Sequence, residues 1–199
     1  MQPEVERWSP FHAWLYSLVN RKSNSNIAVV DYIGVREGDR LLDIGCGPGA
    51  ALQHASARGA IVSAVDPSPS MVERAASRVP SADVKIGNAE DLPFQDARFD
   101  VVINIASFHH WADREAGLVE VLRVLAPGGR LHVVEGLLRD GRNGHGLSRR
   151  DADVLAAKLV ELGYVDPTVD DLSAGRRNHF LVVTGRADEA PPPSSDSGE

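Results

Sequence analysis

The run Leu41-Leu42-Asp43-Ile44-Gly45-Cys46-Gly47-Pro48-Gly49 constrains this chain more than any other stretch. An apolar strand meets an aspartate, then a loop with glycine at every second position, and a helical pattern from Ala50 to Arg58 follows. Residues without a side chain let the backbone turn tightly and let a ligand approach within contact distance. The helix behind the loop presents unpaired N–H groups and the positive end of its dipole. The pattern predicts a ligand seat at the carboxyl end of a strand.

The spacing narrows the ligand. A dinucleotide loop reads G-x-G-x-x-G, whereas this one reads G-x-G-x-G and is preceded by Asp43. The next strand, Ile61-Val62-Ser63-Ala64-Val65, ends in Asp66. A carboxylate there can accept both hydroxyls of a ribose and would repel a 2′-phosphate. Gly87-Asn88-Ala89-Glu90-Asp91-Leu92-Pro93-Phe94 follows the third strand, and Leu125-Ala126-Pro127-Gly128-Gly129-Arg130-Leu131 follows a later helix.

From Arg40 onward strands and helices alternate, which predicts a parallel sheet with helices on both faces. Strands are expected near 40–44, 61–66, 83–87, 99–104 and 130–135, and Val165–Leu172 with His179–Gly185 read as a final strand pair. Ser68 or Ser70 should cap the helix after Asp66, with Pro69 in its first turn and a Ser70…Glu73 capping box. Asp113 should cap the next helix, which stops at Ala126-Pro127-Gly128-Gly129. Ser148 opens the last helix and Gly163 ends it. Upstream, residues 7–33 read as helical, with Trp8, Phe11, Trp14, Leu15, Leu18 and Val19 at three- and four-residue spacing. These aromatics either staple a helix to the sheet or form a lid over the ligand mouth. Asn20–Asn26 is a polar joint.

Taken in order, L-D-I-G-C-G-P-G, the acidic end of the second strand, G-N-A-E-D-L-P-F and L-A-P-G-G-R resemble the motifs of class I S-adenosylmethionine-dependent methyltransferases. The resemblance is nearest to the small-molecule branch that includes the ubiquinone and menaquinone C-methyltransferases. It covers residues 38 to 136 and, more loosely, the segment to Gly185. It implies a doubly wound, Rossmann-like α/β fold: a seven-stranded, mostly parallel sheet with one antiparallel strand inserted at the sheet edge and helices on both faces. It also implies S-adenosyl-L-methionine as cofactor. One departure stands out, since the family usually carries aspartate where this chain has Asn88.

Carried over residue by residue, the resemblance places Asp43 and the backbone of Gly45, Cys46, Gly47 and Gly49 around the methionine portion of the cofactor. Asp66 would take the ribose hydroxyls, Pro67 and Met71 would pack the adenine, and Asn88 with the Ala89 N–H would read the adenine edge. Asn104 and Ala106 would touch the methionyl amino group. Structural alternatives exist for two of these, a capping role for Asp43 and plain core packing for Met71. His109 and His110 follow the fourth strand, where the transferred methyl should point, and either could remove the acceptor's proton. The alternative is a solvent-facing or backbone-bonded histidine pair. The glycine-rich loop from Gly136 to Leu147, with Arg139, Arg142 and His145, and Arg149 beyond it, reads as a mobile surface loop or as a cover for a polar acceptor.

Composition bounds the partners. The 199 residues, 43% of them hydrophobic, suit one packed domain. We expect a helical cap over 1–37, the cofactor-binding domain over 38–186 and a disordered acidic Pro/Ser tail over 187–199. A formal charge of −7 offers no attraction to a phosphate backbone, so nucleic acid is not the expected partner. A single cysteine, Cys46, forms no intrachain disulfide and no cysteine metal cluster, and no metal is expected. No apolar run approaches the ~18 residues of a membrane span, and the N-terminus does not read as a signal peptide, so a cytoplasmic enzyme is expected. The fourth strand leads into Asn104-Ile105-Ala106-Ser107. This is not the Asp/Asn-Pro-Pro-aromatic tetrad of nucleic-acid aminomethylating enzymes of this fold. Pyrimidine C5 methylation requires a cysteine nucleophile, and Cys46 lies in the cofactor loop. A small organic methyl acceptor remains. Two other functions stay open: a nicotinamide-dependent oxidoreductase, whose Tyr/Lys or Cys/His constellation is not found after the fourth strand, and a non-catalytic cofactor-binding protein.

Overall fold

A computed structural model of the chain describes residues 24–138, 146–175 and 178–189. The N-terminal aromatics from Trp8 to Val19, the loop residues Arg139, Arg142 and His145, and most of the C-terminal tail lie outside them.

Helix α1 (Asn24–Ile33) leads into strand β1 (Arg40–Ile44), and α2 (Ala50–Ala57), β2 (Ile61–Asp66), α3 (Pro69–Arg78) and β3 (Asp83–Ile86) follow. After β4 (Phe99–Ile105) comes a single 3-10 turn, Phe108–His110, then α4 (Arg114–Val124), β5 (Leu125–Gly136), α5 (Arg149–Glu161), β6 (Val165–Ser173) and β7 (His179–Arg186). The strands form one sheet in the order β3-β2-β1-β4-β5-β7-β6. Strands β1 to β5 are mutually parallel, and β7 runs antiparallel to both β5 and β6. The antiparallel strand therefore lies one position in from the edge, with β6 outside it. A hairpin returning from β6 can present its second strand to β5 only in that order.

Alternation along the strands builds two cores. Leu41, Val62, Val101, Ile103 and Val182 face α1, α2 and α3, where Val29, Leu52 and Ala75 meet them. Their neighbours Leu42, Val65, Val102, Leu131 and Val183 face α4 and α5, where Leu118, Val121, Leu155 and Leu159 meet them. This pattern is what a sheet covered on both sides demands. Leu41 and Leu42 are both fully buried, and each stabilises the fold by about 1.5–3 kcal/mol relative to exposure.

Local signals place most element ends. The Asp113 carboxylate accepts the Ala116 N–H, and Ser148 with Asp151 forms a reciprocal capping box. The expected Ser70…Glu73 box is absent. Helix α3 starts at Pro69 with Ser68 as N-cap, and the Ser68 hydroxyl bonds the Ser70 hydroxyl at 3.0 Å instead of a backbone N–H. Helix α4 ends at Val124, two residues before the expected stop, and β5 begins at once. Leu125 pairs with Phe99 and Arg130 with Val101, so Ala126–Gly129 bulge out of the ladder. No helix among the described residues is long and apolar enough to cross a membrane.

Candidate cofactor and active site

The ends of β1, β2 and β4 converge on the glycine loop. Gly45 N and Cys46 N both donate to the Val65 carbonyl, at 2.8 and 3.2 Å. Gly47 N donates to Asp66 Oδ2 at 2.8 Å. From the other side, Asn104 Nδ2 donates to the Ile44 carbonyl at 2.9 Å and to Ser107 Oγ at 2.5 Å. The Ser107 hydroxyl also donates to Ile44 O, at 3.0 Å. Position 45 consequently has no space for a side chain, since a Cβ there would lie 2.7 Å from Ser107 Cβ. Position 47 is the opposite case. Nothing stands within 4 Å of where its Cβ would be. Its backbone borders an open cleft of about 210 Å³, lined also by Asp43, Cys46 and Ala106, with Ser25 and Asn26 of α1 above.

Two carboxyls dominate the electrostatics. Asp43 is 2% exposed, and its side chain makes no hydrogen bond among the described residues. Burial first, and the Asp66 charge second, push its carboxyl up to about 7. Asp66, at the end of β2, accepts from Gly47 N and from Ser68 N at 2.9 Å. Burial raises its pKa against the pull of those two backbone N–H groups. The Cys46 thiol is buried and donates weakly to the Gly47 carbonyl at 3.5 Å. Burial, then Asp43 and Asp66, hold it well above the usual thiol range, so it is an unreactive wall of the cleft.

Beyond Asp66 the expected adenine-side residues sit at the same sheet edge. Asp66 pairs with Ile86 and its carbonyl accepts the Gly87 N–H at 3.3 Å, so Asn88 follows just past the paired end of β3. Pro67 and Asn88 are exposed, while Met71 in the first turn of α3 is buried. Ala89 is buried beneath Trp111, against Gly117 of α4. The loop that carries Asn88 and Ala89 is clamped from α4. Leu92 N donates to Glu120 Oε2 at 2.9 Å, and Arg123 donates to the carbonyls of Leu92 and Phe94 and to Asp96.

Asn104 and Ala106 divide in role. Asn104 is fully buried and both of its amide hydrogens are used inside the protein, so it holds the glycine loop from behind. Ala106 borders the cleft directly, with φ at +53°. That left-handed backbone costs about 1–2 kcal/mol for a residue bearing a Cβ.

The histidines follow on the 3-10 turn. His109 Nδ1 lies 3.0 Å from Glu135 Oε2 and 3.2 Å from Oε1, and Phe108 N donates to Oε1 at 2.8 Å. Glu135, near the end of β5, is 1% exposed. His110 is exposed and its ring centroid lies 4.0 Å from that of His109. Glu135 is the residue the sequence reading missed. Its one signal is a charged residue directly after the apolar pair Val133-Val134. Arg149 does not reach toward this edge; it donates to the Val169 carbonyl and pairs with Asp171 of β6.

Comparison with known proteins shows what this fold and site resemble. A methyltransferase-domain family model matches residues 42–133. The chain is 44% identical over 111 residues to the 27-O-demethylrifamycin SV methyltransferase of Amycolatopsis mediterranei, covering 52% of this chain and 41% of that protein. It is 33% identical over 138 residues to an uncharacterized methyltransferase of Synechocystis sp., covering 64% and 65% of the two chains. The chain thus spans less than two thirds of these relatives' length. A crystal structure of a S-adenosylmethionine-dependent methyltransferase from Aquifex aeolicus superposes with a TM-score of 0.74 at 21% identity, over 90% of this chain and 99% of that one. Residues 42–133 thus match a methyltransferase domain, and the chain is similar in sequence and fold to S-adenosylmethionine-dependent methyltransferases.

Proposed function

We propose that this protein transfers a methyl group from S-adenosylmethionine to a hydroxyl oxygen of a small organic acceptor, with the cytoplasm as its compartment. The observation that carries the reading is Asp43, a buried carboxyl without a hydrogen-bond partner among the described residues, on the wall of the cleft beside Gly47. A buried carboxylate in that state calls for a cation, and the methionyl ammonium supplies one. The fit extends to Asp66. Its two backbone N–H partners leave acceptor sites on a carboxylate that has about four, enough for both ribose hydroxyls. The O-demethylated substrate in the name of the Amycolatopsis relative supports oxygen as the acceptor atom.

Bound S-adenosylmethionine supplies an electrophilic methyl group on a sulfonium sulfur. The protein's work is to hold donor and acceptor in line and to exclude water. In this reading Asp43 and the backbone of Gly45, Cys46, Gly47 and Gly49 hold the methionyl portion. Pro67 and Met71 pack the adenine, and Asn88 with Ala89 N–H reads its edge. Asn104 acts through the loop it supports, and Ala106 borders the ligand. His109 or His110 takes the acceptor's proton.

Calorimetry with S-adenosylmethionine, S-adenosylhomocysteine and NAD tests the cofactor, with binding of the first two expected. Tighter binding of NAD would overturn the assignment. Turnover to S-adenosylhomocysteine is then measured with phenols, quinols, amines and fatty acids. Activity confined to the amines would overturn the choice of oxygen.

A further inference from the structure

We propose that Ser25 and Asn26 of α1 take the carboxylate at the methionyl end of the cofactor, and that Asn178, in the turn between β6 and β7, is a positioning residue that keeps the Ser25 hydroxyl turned as a donor. The inference rests on the methyl-transfer reading above and adds to it the partner of the cofactor's second charge.

The amino-acid end of the cofactor bears an ammonium and a carboxylate on one carbon. A cleft that seats the first at Asp43 must therefore satisfy the second close by. Among the described residues no arginine or lysine lines that cleft. Cys46 spends its thiol hydrogen on the Gly47 carbonyl. The side-chain donors left on the wall are Ser25 and Asn26. Their placement follows from the helix. Val29, Val30 and Ile33 form the core-facing stripe of α1, and Asn26 precedes Val29 and Val30 by the spacing that keeps residues on one helix face. The stripe turns polar where the sheet ends and the cleft begins, and Ser25 and Asn26 are both half-buried there. Ala50 and Ala51, in the first turn of α2, border the same space, and their N–H groups add to the donors.

A hydroxyl both donates and accepts, so Ser25 alone would suit either charge. Asn178 removes the ambivalence. Its Nδ2–H donates to Ser25 Oγ at 2.9 Å, joining residues 153 positions apart. With that lone pair engaged, the hydroxyl hydrogen is directed away from Asn178 and is available to an anion. Asn178 is itself fixed, because its carbonyl accepts the Ala174 N–H at 2.8 Å and closes the turn. Phe180, just beyond it at the start of β7, lines the cleft. Neutral donors fit this position beside Asp43. A lysine or arginine there would pair with the Asp43 carboxylate and compete with the ammonium.

Calorimetry on the full chain separates the two charges. S-adenosylhomocysteine and its decarboxylated analogue, S-adenosyl-3-thiopropylamine, share the adenosine, the sulfur and the amine, and the first alone has the carboxylate. Wild type should bind S-adenosylhomocysteine about 100-fold more tightly, and S25A and N26A should each cut that preference about 10-fold. Affinity for the decarboxylated analogue should stay within about twofold in both variants. N178A should lower the preference about threefold or more, and should add no loss in the S25A background, since Asn178 acts through Ser25. A strut that merely held α1 in place would move the two affinities together. Equal binding of the two ligands by wild type, a preference unchanged in S25A or in N26A, or an N178A effect undiminished in the S25A background would overturn the proposal. A wild-type protein that binds neither ligand would overturn the methyl-transfer reading along with it. Failure of that reading therefore shows in the first titration, and failure of the proposal alone in the ratio.

Discussion

The Asp66 carboxylate reaches back from the end of β2 to accept the Gly47 N–H at 2.8 Å, so the side chain that the proposed function assigns to the ribose also shapes the glycine loop. Replacement by alanine therefore removes two things. S-adenosylhomocysteine binding should weaken by roughly 1.5–3 kcal/mol, and stability should fall by about 1–3 kcal/mol because Gly47 N and Ser68 N lose their acceptor. Calorimetry and thermal unfolding of the same preparation measure both. A lower melting point with unchanged binding would leave Asp66 a purely structural group.

Asp43 makes the opposite prediction for stability. Its folded pKa of about 7 stands above its ordinary 3.8, so the folded protein holds this proton more tightly than the unfolded chain. Its contribution is most favourable at low pH and is lost as pH rises from about 4 to about 7. Asp43→Asn should stabilise the cofactor-free protein at pH 8 while weakening cofactor binding, as urea midpoints and calorimetry would show. Loss of both stability and binding would mean that the carboxylate has a structural partner.

His132 slopes the other way. Burial first, and Arg130 second, lower its pKa to about 3 from 6.5, and Thr184 Oγ1 lies 3.0 Å from its Nδ1. The fold requires the neutral ring, so its contribution is present above pH 6.5 and is lost as pH falls toward 3. Between pH 4 and 6.5 the two residues oppose one another. Wild type should show a flatter stability profile there than either Asp43→Asn or His132→Gln, and parallel profiles for all three would refute both assignments.

The glycine loop separates folding from binding. Gly45→Ala should destabilise the protein by roughly 1–3 kcal/mol, because the new methyl displaces Ser107 and its bond to Ile44 O. Gly47→Ala meets no protein atom within 4 Å and should lose only the cost of a Cβ on its left-handed backbone (φ +51°), about 1–2 kcal/mol. Its methyl projects toward the cleft, so cofactor affinity should drop. Equal melting points for the two variants would contradict this division.

What the sequence discloses depends on how far each partner lies along the chain. The loop, Asp66 and the Asp113 and Ser148 caps are legible because their chemistry is local or repeats a spacing. The Ser70…Glu73 box fails on a shift of helix start that no local rule resolves, given two serines around Pro69. The contacts of Asn104 and Glu135 are illegible. Their partners, Ile44 and His109, are remote in sequence, and only the sheet order joins them. An amide after a strand reads as a ligand contact, and a glutamate as solvent-facing. The position of β7 inside the edge escapes for the same reason, since strand order is a property of crossings.

That position affects synthesis as well as shape. In the sheet, β6 has β7 as its neighbour and β7 bridges it to β5. As the chain leaves the ribosome, β6 emerges with nothing to pair with, and β5 waits with one side bare. The α5 face of the core stays incomplete until Leu181 and Val183 arrive. Non-local pairing of this kind is slow and exposes strand edges meanwhile. A stalled or truncated nascent chain lacking residues 179–186 should present a long apolar edge to chaperones, although every residue assigned to the cofactor has already been made.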